Sequence, residues 1–276
     1  MLARALIVPL GLVVCAAGQT PKPDAATQAA MISRIRAAAL EYENRLQNFT
    51  CIQVTAMSSG PSATGSQWKP LETMETELSF VDRRWRYSIL KVNGDAANVE
   101  QRNKSLDYRG YGQFSGALQR IFSPKADARF EWDHAEAGSG GNVCVFRYDV
   151  PQSTSLWVDA VDLDRVRLGL HGMIWADCES GAVMRYRTET DKGEVLRPGR
   201  VFGLPAQIKV AVGHRQDIRY GAAAIGGVEY LLPQSAVETS LFYKTWTKSE
   251  IQFQQYRKYD ANSTVKFYEV EVQPGP

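Results

Sequence analysis

The chain has 276 residues, a formal net charge of +2, and 44% hydrophobic and 10% aromatic residues. That supply of apolar side chains builds a core and excludes global disorder. The near-zero charge excludes a whole-molecule field for nucleic acid or for an anionic membrane.

Positions 1–18 have the pattern of a secretory signal peptide: Arg4, an apolar run from Ala5 to Val14, then the small residues Ala16-Ala17-Gly18 before Gln19. The run is shorter than the roughly 20 apolar residues needed to span a bilayer. No later segment is longer. The chain is therefore expected in the periplasm or secreted, with residues 1–18 as signal and 19–276 as one domain. A second reading tethers it to a membrane through a lipidated Cys15, which Leu12-Val13-Val14 precede.

Asp24 reads as a helix N-cap, and Ile32, Ile35, Ala39, Tyr42 and Leu46 recur at helical spacing. An amphipathic helix is expected over residues 25–47, ended by Asn48. From Phe49 the period changes to two. Alternation marks half-buried strands in 84–92 (Trp85, Tyr87, Ile89), 143–149 (Cys144, Phe146, Tyr148) and 183–189 (Met184, Tyr186). It recurs in 207–212 (Ile208, Val210, Val212), 236–243 (Val237, Thr239, Leu241, Tyr243) and 250–253 (Ile251, Phe253).

Asn93-Gly94, Gly226-Gly227 and Glu179-Ser180-Gly181 read as hairpin turns, the second dividing 222–225 from 228–232. A slip of parity near Gln254-Gln255 predicts a β-bulge. Phe114, Leu118, Ile121 and Phe122 predict one internal helix, stopped by Ser123-Pro124. If Cys15 leaves with the signal, Cys51, Cys144 and Cys178 make one disulfide and one buried thiol, with the pairing open. The fold class is mainly β (α+β), with about ten strands. The sheet is strongly curved and antiparallel or an incomplete barrel, with the N-terminal helix and the short internal one.

The helix end Asn44-Arg45-Leu46-Gln47-Asn48-Phe49-Thr50-Cys51, running straight into a strand, resembles the opening of the LolA-like superfamily. The stretch from Ile174 to Arg185 resembles that superfamily's hairpin of an aromatic, an Asp, a turn Gly and a polar return strand. The resemblance implies a periplasmic half-barrel capped by helices, and as a partner a lipid, acyl chain or lipoprotein. Residues 48–54, 77–94, 130–132, 145–150, 171–177, 226–233 and 250–259 also resemble uncharacterised secreted proteins of Acidobacteria. The segment 159–170 is an insertion without a counterpart.

No nucleophile, metal or cofactor motif is present, so the chain is not read as an enzyme and no cofactor is expected. His134, His171 and His214 are far apart in sequence and read as surface or turn residues. Asp159, Asp162 and Asp164 lack the ligand spacing of a calcium loop and read as a solvated edge or turn. Arg83, Arg84 and Arg86 beside Trp85 read as a polar strand face, not a nucleic-acid surface. Trp85, Tyr87, Ile89, Phe146, Tyr148, Tyr186 and Phe253 are the residues expected to line a cleft for an apolar ligand. The alternative is a filled core in an envelope module that binds another protein through a sheet edge or loop.

Overall fold

The computed structural model describes residues 22–98, 113–138, 141–161, 164–201, 204–242 and 244–260. The signal segment, Cys15, Asp162 and Tyr243 lie outside them.

Helix α1 (Ala25–Glu41) starts where Asp24 accepts the Thr27 backbone N–H at 2.7 Å. It is shorter than the 25–47 expected. The chain tightens into a single 3₁₀ turn over Glu43–Arg45, where Arg45 and Leu46 donate to Tyr42 and Glu43 three residues back. Ile35 and Ala39 are buried, and Ile32, Tyr42 and Leu46 pack against the same core. The internal helix α2 (Gly116–Phe122) buries Ala117, Leu118, Ile121 and Phe122, with Phe114 buried just before it.

The strands are β1 (Phe49–Gly60), β2 (Lys69–Val81), β3 (Arg84–Val92), β4 (Asp95–Ala96), β5 (Arg129–Gly138), β6 (Gly141–Val150), β7 (Val158–Val161), β8 (Asp164–Arg167), β9 (Leu170–Asp177), β10 (Val183–Thr190), β11 (Gly193–Val201), β12 (Leu204–Ile225), β13 (Val228–Phe242) and β14 (Thr245–Lys258). Twelve form one antiparallel sheet, in the order β4-β3-β2-β1-β14-β13-β12-β10-β9-β6-β5, with β11 continuing the β10 side of β12. The sheet is curved and open: its edges, β4 with β3 and β5, do not pair with each other. Strands β7 and β8 form a separate hairpin inside the segment read as an insertion.

Among the described residues, three two-residue turns run through left-handed backbone: Asp82-Arg83, Asn93-Gly94 and Gly226-Gly227. That geometry matches the twist of antiparallel strands. The expected bulge is present. Thr50 faces Arg257 and Ile52 faces Gln254, so two residues of β14 oppose Cys51, and Gln255 adopts a φ of 56°.

One face of the sheet carries both helices. There Phe49, Phe80, Trp85, Phe114, Phe253 and Tyr256 form a connected aromatic cluster, with Trp85 4.6 Å from both Phe80 and Phe114. On β6, Cys144, Phe146 and Tyr148 point into this core as their alternation predicts. Val145 on the other face is buried as well; it pairs with Trp175 across the β6–β9 ladder, and Arg185 stacks on that ring at 4.6 Å. The disulfide joins Cys144 to Cys178 and leaves Cys51 as the buried free thiol. Closing that 34-residue separation removes roughly 4 kcal/mol of unfolded-chain entropy.

Strands β12 and β13 differ most from the expectation. The separate segments 207–212 and 222–225 belong to one strand of 22 residues, and 228–232 joins 236–242 in one of 15. The joining residues Gly213 to Asp217 are polar and carry no apolar alternation. They stay in the strand because each polar side chain finds a partner on a neighbouring strand. His214 meets Ser240, Arg215 meets Glu189, Gln216 meets Glu238, and Asp217 meets Arg185.

Candidate functional site

A cavity of about 280 Å³ opens between the end of α1 and the rims of two hairpins. Ala38, Ala39, Tyr42 and Leu46 line it from the helix side, Leu118 from α2, Ala182 and Val183 from the β9–β10 turn, and Tyr230 and Leu231 from the start of β13. Small side chains make the space: the run Ala37-Ala38-Ala39 gives α1 little bulk on this flank. Gly181, at a φ of 74°, approaches the Arg34 and Ile35 backbone so closely that an added Cβ would lie 2.7 Å from the Arg34 carbonyl carbon. The β9–β10 turn therefore docks onto α1. Asp177 holds the turn by accepting the Ser180 N–H and hydroxyl at 2.7 and 2.6 Å.

The lining is apolar apart from its mouth. Arg45 and Glu229 stand there, both exposed, and among the described residues neither is in an ion pair. The Tyr42 side chain contributes to the lining, but its hydroxyl has almost no accessible surface and no hydrogen-bond partner. Its ring meets Tyr220 edge to face, with centroids 6.0 Å apart. Burial raises the Tyr42 phenol well above its ordinary pKa, so it stays neutral. The arrangement offers an apolar space with a charge of either sign at its entrance.

The seven residues expected to line a cleft all belong to the helix-covered face, but none is among those lining this cavity. Trp85 and Phe253 both contact Phe114. Phe146 packs with Ile32, Ile35, Phe122, Phe130 and Ile174, leaving no water-sized space. Tyr148 is buried with its hydroxyl 2.6 Å from Thr188 Oγ1, and Tyr186 is fully buried 6.3 Å from Tyr220. Ile89 is buried on β3, and Tyr87 is half-buried beside it. The cavity residues carried no period-two signal. They lie on helix ends and hairpin rims, which only the tertiary packing brings together.

Two expectations for polar residues are corrected. His134 and His171 are half-exposed beside acidic neighbours, but His214 faces inward, bonded to Asp159 and Ser240. Asp159 is not a solvated edge: its side chain is 11% exposed and accepts the Trp157 indole N–H at 3.0 Å. Arg84 and Arg86 are exposed on the polar face of β3, as their alternation predicts.

No family model matches the chain, and no curated protein is detectably similar to it. Among solved structures, it is similar to a LolA superfamily protein from Nitrosomonas europaea, at 8% identity and a TM-score of 0.34 over 84% of this chain and 93% of that one. It is also similar to a DUF1329 family protein from Desulfovibrio piger, at 10% identity and a TM-score of 0.37 over 89% and 98%. The likeness to secreted acidobacterial proteins has no counterpart in these comparisons.

Proposed function

We propose that this chain is an exported binding protein, periplasmic or secreted, that loses residues 1–18 and holds a lipid, acyl chain or lipoprotein anchor within one β domain. The observation that carries this reading is the apolar cavity beside α1, with its charged mouth. Pockets for small ligands run from about 300 Å³ upward. A cavity of about 280 Å³ lies just under that range and suits one acyl chain, or its end, with a carboxylate or headgroup near Arg45.

Native mass spectrometry of residues 19–276, with thermal shift against fatty acids, tests the reading. The expected result is a bound acyl species and a rise in melting temperature, both lost in Ala38→Trp, which fills the space. Protein that is always empty and never shifts sinks it.

The second reading, an envelope protein-interaction module with a filled core, is favoured by the tight packing around Phe146. The exposed Leu196 and Leu204, 56% and 70% accessible on the β11–β12 ribbon, offer that reading a contact surface. Crosslinking in envelope extract that captures a partner without lipid would select it.

A further inference from the structure

At the other end of the β12–β13 ladder from the cavity, three polar side chains from separate segments meet on the helix-covered face. Ser240 Oγ lies 2.8 Å from His214 Nδ1, and Asp159 Oδ1 lies 2.9 Å from His214 Nε2. An ionised carboxylate only accepts, so Nε2 carries the imidazole proton. In the neutral imidazole Nδ1 is then left with its lone pair toward Ser240, and the serine hydroxyl donates. This is the order nucleophile, base, orienting acid. Trp157 fixes the orienting end by donating to the same Asp159 oxygen, and its ring lies 5.2 Å from the imidazole. The Thr190 hydroxyl oxygen accepts the His214 backbone N–H at 2.8 Å, where β10 gives way to β11. His214 and Asp159 are therefore both held, while the His214 side chain keeps 27% exposure.

The next register along the ladder adds unmatched acceptors. Gln113 and Gln216 both donate to Glu238, at 2.8 and 3.1 Å. Their own carbonyl oxygens and Asp159 Oδ2 are buried without a hydrogen-bond partner. Gln113 and Gln216 are only 2% and 8% exposed. The Arg120 guanidinium, 4.6 Å over the Trp157 ring, is the cation beside them.

We propose that Ser240 and His214, positioned by Asp159, are the nucleophile and base of a carboxylic-ester hydrolase site separate from the binding cavity. Ser240 Oγ attacks the ester carbonyl carbon as its proton passes to His214 Nδ1. Arg120 faces the oxyanion. The carbon–oxygen bond to the alcohol breaks, and the alcohol leaves with the proton from Nδ1. Water then gives its proton to Nδ1 and attacks the acyl-serine. The carboxylic acid is released, and Ser240 recovers its proton.

A fluorophosphonate probe with peptide mass mapping, together with hydrolysis of p-nitrophenyl acetate and butyrate, tests this. The expected result is an adduct on Ser240 and turnover that falls roughly 100-fold or more in Ser240→Ala and in His214→Ala. Asp159→Asn should slow labelling and kcat with KM unchanged, because it presents the wrong tautomer to Ser240. If the alanine variants misfold, S240C keeps the geometry. Its thiol should react with iodoacetamide faster than the thiol of the S240C/H214A chain. Folded protein without an adduct on Ser240, turnover that survives Ser240→Ala, or equal thiol rates would overturn the proposal and leave a hydrogen-bond network that only pins the β7–β8 hairpin.

Discussion

The sheet under α1 and α2 and the stretch of β10, β12 and β13 beyond them are built from the same antiparallel ladders, but different forces hold them. In the first region Phe49 touches Phe80, Trp85, Phe114 and Tyr256, and burial of aromatic surface is the main stabilising term. In the second, Asp217 takes two hydrogen bonds from Arg185 and two from Arg187, Arg215 bonds Glu189, and Glu238 joins Gln113 to Gln216. Apolar strands are stabilised by what they bury; the polar strands stay extended because their side chains satisfy one another. A single loss should therefore cost more in the first region, and should depend on pH only in the second.

The largest expected effect is in the aromatic region. Phe49→Ala should lower stability by about 3–5 kcal/mol, read from urea unfolding, because Phe49 is fully buried at the centre of the cluster. A loss below about 1 kcal/mol would mean that the core closes over the gap, and the contrast between the regions would fail.

Next is Asp217→Asn. Burial pushes the Asp217 carboxyl up, but hydrogen bonds and charge from Arg185 and Arg187 outweigh this and leave it below the ordinary range. A depressed folded pKa stabilises above the unfolded value near about 3.9 and loses that contribution as pH falls through the folded one. The variant should be less stable by about 1 kcal/mol at neutral pH, after screening of partly exposed partners. The difference should shrink on acidification, and a constant difference would show that only packing was lost.

The smallest effect has the opposite sign. Burial raises the Glu238 carboxyl above its usual range, only partly offset by the hydrogen bond from Gln113. A raised folded pKa means that the contribution is present below the unfolded pKa and lost as pH rises through the folded one. Glu238→Gln keeps an oxygen for both glutamine donors. It should melt higher than the parent at pH 8, by up to about 1 kcal/mol, and should match it near pH 4. Equal melting curves at both pH values would remove the electrostatic cost assigned to this carboxylate.

The same contrast decides what could be read from the sequence. Period-two alternation located β3, β6, β10 and the core of β14, and helical spacing located α1 and α2, because in those elements one face is apolar and the other is not. The parity slip at Gln254-Gln255 exposed the bulge for the same reason. Residues 213–217 gave no such signal, since strand structure there rests on partners 22 to 32 residues away. Asp82-Arg83 makes a left-handed hairpin turn with neither Gly nor Asn, and so was not anticipated. The cavity depends on Ala38, Ala182 and Leu231, which are unremarkable in their own segments. Asp159, His214 and Ser240 share no motif, and their meeting is a product of the β7–β8 hairpin folding over the sheet.

The pairing of β1 with β14 sets the order of events in folding. Thr50 and Arg257, bonded at 2.9 Å, are separated by 207 positions. Until the chain has reached Lys258, β1 presents one unpaired edge and β13 another, both in the middle of the future sheet. Local hairpins such as β2–β3 and β12–β13 form at once, but joining them must wait for the last strand. Contacts this distant fold slowly and leave strand edges open to other chains meanwhile. A chaperone that covers those two edges would therefore raise the yield of refolding more than one that covers the apolar helix α2.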